Sequence, residues 1–394
     1  MRRLGIFIIG TILLLSGCVP QFEKDEELVQ ETENSQETAI VPKYKISDQY
    51  YRTVLPFNPS EARGRVVSGI YNRLDIDEFE TGLMRLSQNT FPSDDYLYQD
   101  GQYLDGETVG SWLQRKMSDA EVESELAKQK GKKKEVKNLG LNPIKVTEGT
   151  AKDKNEAAPI YLSHIMEQNY LKKDAEGKAE LSGISIGLAL NSVHYYEQED
   201  GYPREYVIPE AKIEQYGKEL ANEVLKRIRA IEGLENVPVV IGLFMLEEKQ
   251  SVVPGSFFAY TEVKGKNSTI DKWNVVKEAY YLLPGKDAQK DYRDDNTRML
   301  NFKSEIDDYF PNYTGVIGRG YYLDEQLTEL TIEIPMQFYG KAEVVGFTQY
   351  VTGLVMEHFP NYFTVKCYIS SIDGPEALIV REVDMEEPYV HIYQ

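Results

Sequence analysis

The second half of the chain alternates between two hydrophobic patterns. In one, apolar residues recur every three or four positions, which predicts amphipathic helices. In the other, short continuous apolar runs rich in β-branched and aromatic residues predict buried strands. The helical pattern occupies residues 220–231 and 344–355, and the strand-like runs occupy residues 237–245, 257–263, 362–369 and 377–383. Helices and strands mixed in this order predict an α+β fold.

Short sequence landmarks recur in the same two regions. An Ile-Pro pair at residues 208–209 is followed by Tyr216-Gly217-Lys218, and a second Ile-Pro pair at 334–335 is followed by Tyr339-Gly340-Lys341. In both places a helical pattern comes next. The two Tyr-Gly pairs either border a ligand site at matching positions or serve packing, because glycine lets two backbones approach closely.

The similarity extends upstream of these landmarks. Residues 183–190 parallel residues 315–322, and each run follows a helix candidate, at 160–172 and at 302–310. Each copy then contains a helix, two strands, a second helix and two further strands. We interpret the region as two tandem related α+β repeats, each with helices packed on a mainly antiparallel sheet. Chance alternation of common α+β elements is the alternative.

Changes in composition divide the chain further. Residues 19–49 are rich in glutamate and poor in apolar side chains, which is typical of a flexible spacer, and residues 265–299 are rich in Lys, Asp and Asn. A helix with Asp75 as its cap is predicted near residues 74–86. The predicted division is a signal peptide at 1–17, a lipidated N-terminus and acidic flexible tether at 18–49, a first domain at 50–264 with its repeat core at about 160–264, a linker at 265–299 and a second repeat domain at 300–394.

The first eighteen residues have the features of a secretory signal. Arg2 and Arg3 precede an apolar run at residues 4–15, which is too short for a permanent membrane span of about 20 residues. The run ends in Leu-Ser-Gly-Cys, with Gly17 next to Cys18, and this resembles the bacterial lipobox. There the cysteine thiol takes a diacylglycerol and a peptidase cuts before it. The sequence therefore predicts lipidation at Cys18 and cleavage between Gly17 and Cys18. An ordinary cysteine is the alternative.

Charge and cysteine content restrict the function classes. The formal net charge is −20, which excludes a general nucleic-acid binder because phosphate recognition needs a basic surface. Beyond Cys18 the sequence contains one cysteine, Cys367, so no intramolecular disulfide is expected. The one strongly basic segment is 128–134. It either touches anionic lipid or a cell-wall polyanion, or forms a solvated loop.

No catalytic or cofactor motif is present in the sequence. The four histidines (His164, His194, His358 and His391) lack metal-ligand spacing. There is no nucleophile elbow, phosphate loop or dinucleotide fingerprint. We therefore expect no cofactor and no metal, and the sequence gives an enzyme no support.

Several motifs together resemble the CamS family of lipoproteins of low-GC Gram-positive bacteria. They are the lipobox, residues 51–64 (with LPFNPSEARG), residues 72–87 (NRLDIDEFETGLMRLS), the DGQYL run at 100–104 and the tandem repeat. The resemblance covers essentially the whole chain. It implies a two-repeat extracellular lipoprotein, anchored through Cys18 to the outer face of the cytoplasmic membrane. It also implies that a short apolar peptide from the end of the signal, here residues 10–17, is released as a pheromone.

Three functions follow as hypotheses for this chain. The two repeats hold a small molecule, a cell-wall glycan, a peptide or a protein partner between them. Alternatively, the signal peptide is the messenger and the folded part is ancillary. The third hypothesis is a cell-wall hydrolase with an acidic pair in a cleft.

Overall fold

The structure is a computed structural model that describes residues 26–32, 35–67, 71–128, 136–174, 177–309 and 315–394. The helices in these ranges are α1 (Ile76–Ser87), α2 (Gly106–Trp112), α3 (Asp119–Lys128), α4 (Ala151–Ala157), α5 (Glu210–Ile228), α6 (Lys286–Asp291), α7 (Arg293–Tyr309) and α8 (Lys341–His358). The strands are β1 (Glu26–Thr32), β2 (Ser35–Val41), β3 (Arg52–Thr53), β4 (Leu97–Asp100), β5 (Leu162–Lys173), β6 (Ala179–Asn191), β7 (Val193–Glu197), β8 (Pro203–Val207), β9 (Val239–Leu246), β10 (Ser256–Val263), β11 (Asn274–Val275), β12 (Glu278–Leu283), β13 (Ile317–Leu323), β14 (Gln326–Pro335), β15 (Thr364–Ser371), β16 (Gly374–Arg381) and β17 (Tyr389–Ile392).

Most strands belong to two large sheets. The strand order of the first sheet is β11-β10-β9-β6-β5-β4-β3, and that of the second sheet is β12-β13-β14-β15-β16-β17. Most neighbouring strands in both sheets are antiparallel. The predicted α+β class, with helices on mainly antiparallel sheets, is confirmed.

The centres of the two sheets have the same connectivity. In the first sheet β5 and β6 form an antiparallel hairpin, α5 leads to β9 parallel to β6, and β10 returns antiparallel. In the second sheet β13 and β14 form the hairpin, α8 leads to β15 parallel to β14, and β16 returns antiparallel. This shared order agrees with the tandem-repeat hypothesis.

Two details of the predicted repeat are wrong. The helix predicted at 160–172 is not formed, because residues 162–172 lie in strand β5. Nearly all of β5 is buried on both faces, so its sequence lacks the alternation that distinguishes a strand from a helix. Residues 183–190 lie in the second strand of the first hairpin, β6, whereas residues 315–322 lead into the first strand of the second hairpin, β13. The upstream alignment is therefore displaced by one strand.

The helix predicted at 302–310 and the predicted linker also differ from the structure. The helix α7 begins earlier, at Arg293, while Phe310 lies outside the described residues. Within the predicted linker 265–299, strand β12 pairs with β13 along its whole length. The second sheet therefore begins inside that segment. Its strand, EAYYLL, is a short apolar and aromatic run within an otherwise polar segment.

The segment predicted as a flexible tether, 18–49, is paired over part of its length. Strands β1 and β2 form an antiparallel ladder. Within β2, Ile40 also exchanges both backbone hydrogen bonds with Leu55, with N–O distances of 2.8 and 2.9 Å. Val41 is fully buried in a cluster with Val54. These contacts join the segment to the first domain, which composition alone does not predict.

The two sheets differ in how their faces are covered. Helix α5 packs Leu220, Val224 and Ile228 on one face of the first sheet, and α1 packs on the other. The second sheet has α7 and α8 on one face, where the buried strand residues include Cys367. Burial of this thiol raises its pKa well above the usual range. The opposite face of the second sheet is turned toward α1.

Alanine substitutions at two glycines should have opposite effects on the stability of the protein. A methyl group at Gly187 in β6 would lie 2.6 Å from Cζ of Phe79 on α1, whereas nothing lies within 4 Å of a methyl group at Gly346 in α8. Gly187→Ala should lower the free energy of unfolding by about 1–3 kcal/mol through overpacking. Gly346→Ala should raise it by about 0.5–1 kcal/mol. Urea unfolding measures both, and a neutral Gly187→Ala would contradict the packing of α1 on β6.

Candidate functional site

The open face of the second sheet has an ordered set of polar and aromatic side chains. Alternate residues of β13, β14 and β15 are buried against the helices, and the residues between them face the opposite side. Strand register places these residues in two rows. One row contains Arg319, Thr331 and Lys366, and the other contains Tyr280, Tyr321, Glu329 and Thr364. Cross-strand neighbours of this kind have Cβ atoms about 4.5–5.5 Å apart.

Helix α1 forms the wall opposite this face. Asp75 caps it by accepting a hydrogen bond from the backbone N–H of Glu78, as predicted from the sequence. Phe79 and Leu83, on the inner side of α1, are fully buried against the first sheet, which contributes roughly 2 kcal/mol for each side chain. Glu78 and Arg85, one and two turns along the outer side, are turned to the second sheet. The wall is therefore held by a packed core.

Arg85 joins the two halves of the molecule. Its Nε donates to Oε1 of Glu278 in β12 at 3.0 Å, and its Nη2 donates to Oε1 of Glu78 at 2.9 Å. Its guanidinium lies 5.0 Å from the ring centre of Tyr321. The side chain of Glu278 is only 2% exposed, so this carboxylate depends on Arg85 for charge compensation.

The pKa values of this cluster reflect burial and charge. Burial raises the pKa of Glu78, and the Arg85 charge opposes that rise. Burial works to lower the pKa of Arg85, but the hydrogen bond and charge of Glu278 outweigh it and the net pKa is raised. Burial raises the pKa of Tyr321; Arg85 opposes this rise and Glu278 adds to it. The cluster therefore keeps Arg85 charged at neutral pH.

Between α1 and the open face lies a cleft of about 630 Å³, which we call the interdomain cleft. The Tyr280 and Tyr321 rings lie in it side by side, with centres 5.0 Å apart and planes at 33°. Hydroxyl, carboxylate and cationic side chains make up much of the remaining lining, including Thr81, Thr328, Thr331, Thr364, Asp77, Glu329, Arg319 and Lys366. The arrangement suits a polar ligand that has a ring.

Most charges in the interdomain cleft already have partners. Lys366 donates to Glu329 at 2.7 Å, and Asp75 is paired with Arg73 at 3.3 Å. Arg319 is half-buried, and its guanidinium makes no hydrogen bond or ion pair with any residue that the structure describes. It is therefore the lining cation available to a ligand.

The predicted lipidation site lies outside this description. Gly17 and Cys18 fall before the first described residue, and residues 129–134 of the basic segment fall in a gap. Among the helices that the structure describes, none is long and apolar enough to cross a membrane. The described ranges also contain no group of three His, Cys, Asp or Glu side chains able to hold a metal ion.

The two Tyr-Gly pairs do not border a shared site. Tyr216 lies inside α5, where its hydroxyl donates to the Leu141 carbonyl at 2.8 Å, and a methyl group at Gly217 would meet Leu190 at 2.7 Å. Tyr339 is 92% exposed, and Gly340 precedes α8. Tyr216 and Gly217 therefore serve packing, whereas Tyr339 is on the surface and Gly340 lies at the start of a helix.

A second buried polar cluster organises the DGQYL run. Glu167 accepts backbone hydrogen bonds from Gln102, Tyr103 and Leu104, the shortest at 2.7 Å. Burial raises the pKa of Glu167, and these hydrogen bonds oppose the rise. Asp100 accepts from the Ser60 backbone N–H at 2.9 Å and from Arg63 Nε at 3.0 Å. Both carboxylates are thus engaged in holding loops together, and this cluster gives a hydrolase no support.

Sequence reasoning missed the residues of the interdomain cleft. Glu278 and Tyr280 lie in the predicted linker 265–299, and Arg319 lies in the run 315–322, which the predicted repeat aligns with residues 183–190. The available signal was the period-two alternation of polar and apolar residues in parts of β14 and β15, which is typical of a sheet with one uncovered face; β13, whose sequence is IGRGYYL, lacks it.

The Arg85 contact gives a stability prediction with an internal control. Arg85→Met leaves Glu278 buried and uncompensated, so it should lower the free energy of unfolding by about 3 kcal/mol. Replacing both Arg85 and Glu278 with Met should restore part of this loss, because it removes the buried Glu278 charge but leaves Glu78, whose side chain is 14% exposed, without its partner. Arg204→Met removes one partner of an exposed ion pair with Asp200, so it should change the free energy of unfolding by less than about 1 kcal/mol. Urea unfolding compares the variants; a double variant no more stable than Arg85→Met would contradict this account.

Comparison with known proteins places the chain in a family. Residues 57–387 match the family model described as CamS sex pheromone cAM373 precursor. The structure of the C-terminal domain of sex pheromone staph-cAM373 precursor from Staphylococcus aureus is similar, with 33% identity and a TM-score of 0.69 over 81% of this chain and 96% of that chain. The sex pheromone precursor from Lactobacillus salivarius subsp. salivarius UCC118 has 31% identity and a TM-score of 0.77 over 89% of this chain and 98% of that chain.

No curated protein matches the chain. The match to the family model covers both sheets except for the edge strands β3 and β17. It also includes the DGQYL motif and all but the first two residues of LPFNPSEARG. The two structures agree with it over most of their own length. The chain therefore belongs to the CamS sex pheromone cAM373 precursor family.

Proposed function

We propose that this protein is a lipid-anchored extracellular binding protein whose folded part holds a ligand in the interdomain cleft. The observation that carries the proposal is the position of the cleft. Residues from both halves line it, and its volume of about 630 Å³ is within the usual range for small-ligand sites. A soluble fragment of the cell wall is the partner class that we would test first.

The N-terminal sequence supports the anchor. Membership of a family of sex pheromone precursors implies a secreted or surface protein. The charged start, the short apolar run and the Leu-Ser-Gly-Cys end at Cys18 fit export followed by attachment of diacylglycerol, with palmitate or a related acyl chain on the new terminus. The protein then faces outward from the cytoplasmic membrane.

The same processing step provides a second product. Cleavage between Gly17 and Cys18 frees the apolar end of the signal, residues 10–17. The name of the family connects its members with a pheromone, and this fragment is the part of the chain that corresponds to a short apolar peptide. The folded part and the peptide then have separate functions.

Ligand binding in the interdomain cleft is tested by thermal stability. Soluble muramidase digests of cell wall should raise the melting temperature of the full-length protein, because a ligand that binds only the folded state stabilises it. Thr331→Trp fills the cleft and should abolish the rise. Glu333 lies on the same strand but does not line the cleft, so Glu333→Trp should retain the rise in melting temperature. A rise that survives Thr331→Trp would place binding elsewhere, and no rise in the unmodified protein would refute a wall-fragment ligand.

Anchoring and peptide release are tested by one substitution. Cys18→Ser removes the thiol that forms the thioether, so the protein should leave the detergent-extractable membrane fraction; acyl chains contribute about 0.8 kcal/mol per buried methylene. The peptide of residues 10–17 should also disappear from culture supernatants, as measured by mass spectrometry. Cys367→Ser is the matched control and should affect neither. Unchanged membrane association of Cys18→Ser would show that the lipobox interpretation is wrong.

A further inference from the structure

We propose that the ligand of the interdomain cleft is a sugar whose ring bears a carboxylate. The inference rests on the proposed binding function and specifies the ligand. It starts from the row Arg319–Thr331–Lys366 and the neighbouring row Tyr280–Tyr321–Glu329 on the open face of the second sheet.

Arg319 specifies the charge of the ligand. Any molecule that fills the cleft removes water from this half-buried guanidinium, and a desolvated charge needs a partner. The nearest cation along the row, Lys366, is already neutralised by Glu329. The structure describes no carboxylate bound to Arg319. A ligand carboxylate provides the missing partner through two parallel N–H···O bonds.

The adjoining row specifies the ring. Tyr280 and Tyr321 both line the cleft, with ring centres 5.0 Å apart, and Tyr321 lies two residues from Arg319 on the same face of β13. Arg85 covers one face of the Tyr321 ring, so a ligand ring contacts the part of the tyrosine pair that is open to the cleft. The C–H face of a pyranose stacks on such a surface, while its hydroxyl groups point sideways. Thr331 and Glu329 lie next to these residues in the two rows. The Thr331 hydroxyl donates to Glu329, and Glu329 also accepts from Lys366, but the oxygen atoms of both side chains keep lone pairs that can accept from sugar hydroxyls.

The backbone argues against an extended peptide in this position. A peptide that binds as an added strand takes its affinity from unpaired main-chain groups at a sheet edge. The strands β13, β14 and β15 are each paired on both sides, so this face presents side chains alone. Recognition here must come from rings, hydroxyls and charges, which is how proteins bind sugars.

Three small probes separate the components of this inference. N-acetylmuramic acid is N-acetylglucosamine with an added lactyl carboxylate, and lactate is that acid without the ring. In calorimetry on the full-length protein in mild detergent, N-acetylmuramic acid should bind about tenfold or more tightly than N-acetylglucosamine. Lactate should bind at least as weakly as N-acetylglucosamine.

Substitution of Arg319 tests whether this preference arises in the cleft. Arg319→Gln should weaken N-acetylmuramic acid about tenfold and leave N-acetylglucosamine unchanged, and Arg319→Lys should retain part of the preference. Lys290→Gln removes a cation that is 82% exposed outside the cleft and should change neither affinity. Thermal melting checks that each variant is folded.

The outcomes distinguish this inference from the binding function itself. Equal affinity for the two sugars, or a preference that survives Arg319→Gln, overturns the carboxylate assignment. In that case a rise in melting temperature with wall digests would still support the proposed binding function. Binding of the dipeptide D-alanyl-D-alanine without binding of either sugar overturns the sugar assignment. If neither sugar binds, the inference fails, and the digest experiment alone then decides the binding function.

Discussion

The arrangement of the two halves depends on one shared guanidinium. Arg85 on α1 contacts Glu278, which begins the first strand of the second sheet, and Glu78 on its own helix. Because Glu278 is almost fully removed from water, separating the halves at this point would leave a carboxylate without compensation. The distance between α1 and the open sheet face follows from this contact, and so does the width of the interdomain cleft.

Helix α1 has a different task on each side. Its apolar side supplies Phe79 and Leu83 to the core of the first domain, and its polar side supplies Glu78 and Arg85 to the contact with the second sheet. An ordinary amphipathic helix has water on its polar side. Here the part of the polar side that carries Glu78 and Arg85 is enclosed by the second sheet, which explains why these two residues are paired, whereas Asp77 is exposed.

The sequence predicted those elements whose physical signal is local. The helix α1 followed from Asp75 and the apolar spacing behind it, and α5, α8 and the strands after them followed from their periodicity. Strand β5 was missed because buried strands and buried helices share continuous apolar runs; its polar members, such as Gln168, are accommodated by hydrogen bonds that only the folded chain provides. Strand β12 was missed because its short apolar and aromatic run lies within an otherwise polar segment.

The residues of the candidate site could not be grouped from the sequence, because their grouping depends on contacts between strands. Arg319, Thr331 and Lys366 are far apart in the chain and become a row only when the strand register is known. No motif spacing encodes such a row. The prediction at Cys18 differs from the candidate site, because a lipobox is a continuous run of residues and can be identified without knowing the fold.

The burial of the Cys367 thiol makes site-selective labelling of this protein possible. Its side chain is 0% exposed and its raised pKa keeps it protonated, so it reacts poorly with maleimides. No other cysteine follows Cys18 in the sequence. Cysteines introduced on the two walls of the interdomain cleft would therefore react with fluorophores in preference to Cys367, and energy transfer between the fluorophores would measure the distance between the walls with and without ligand.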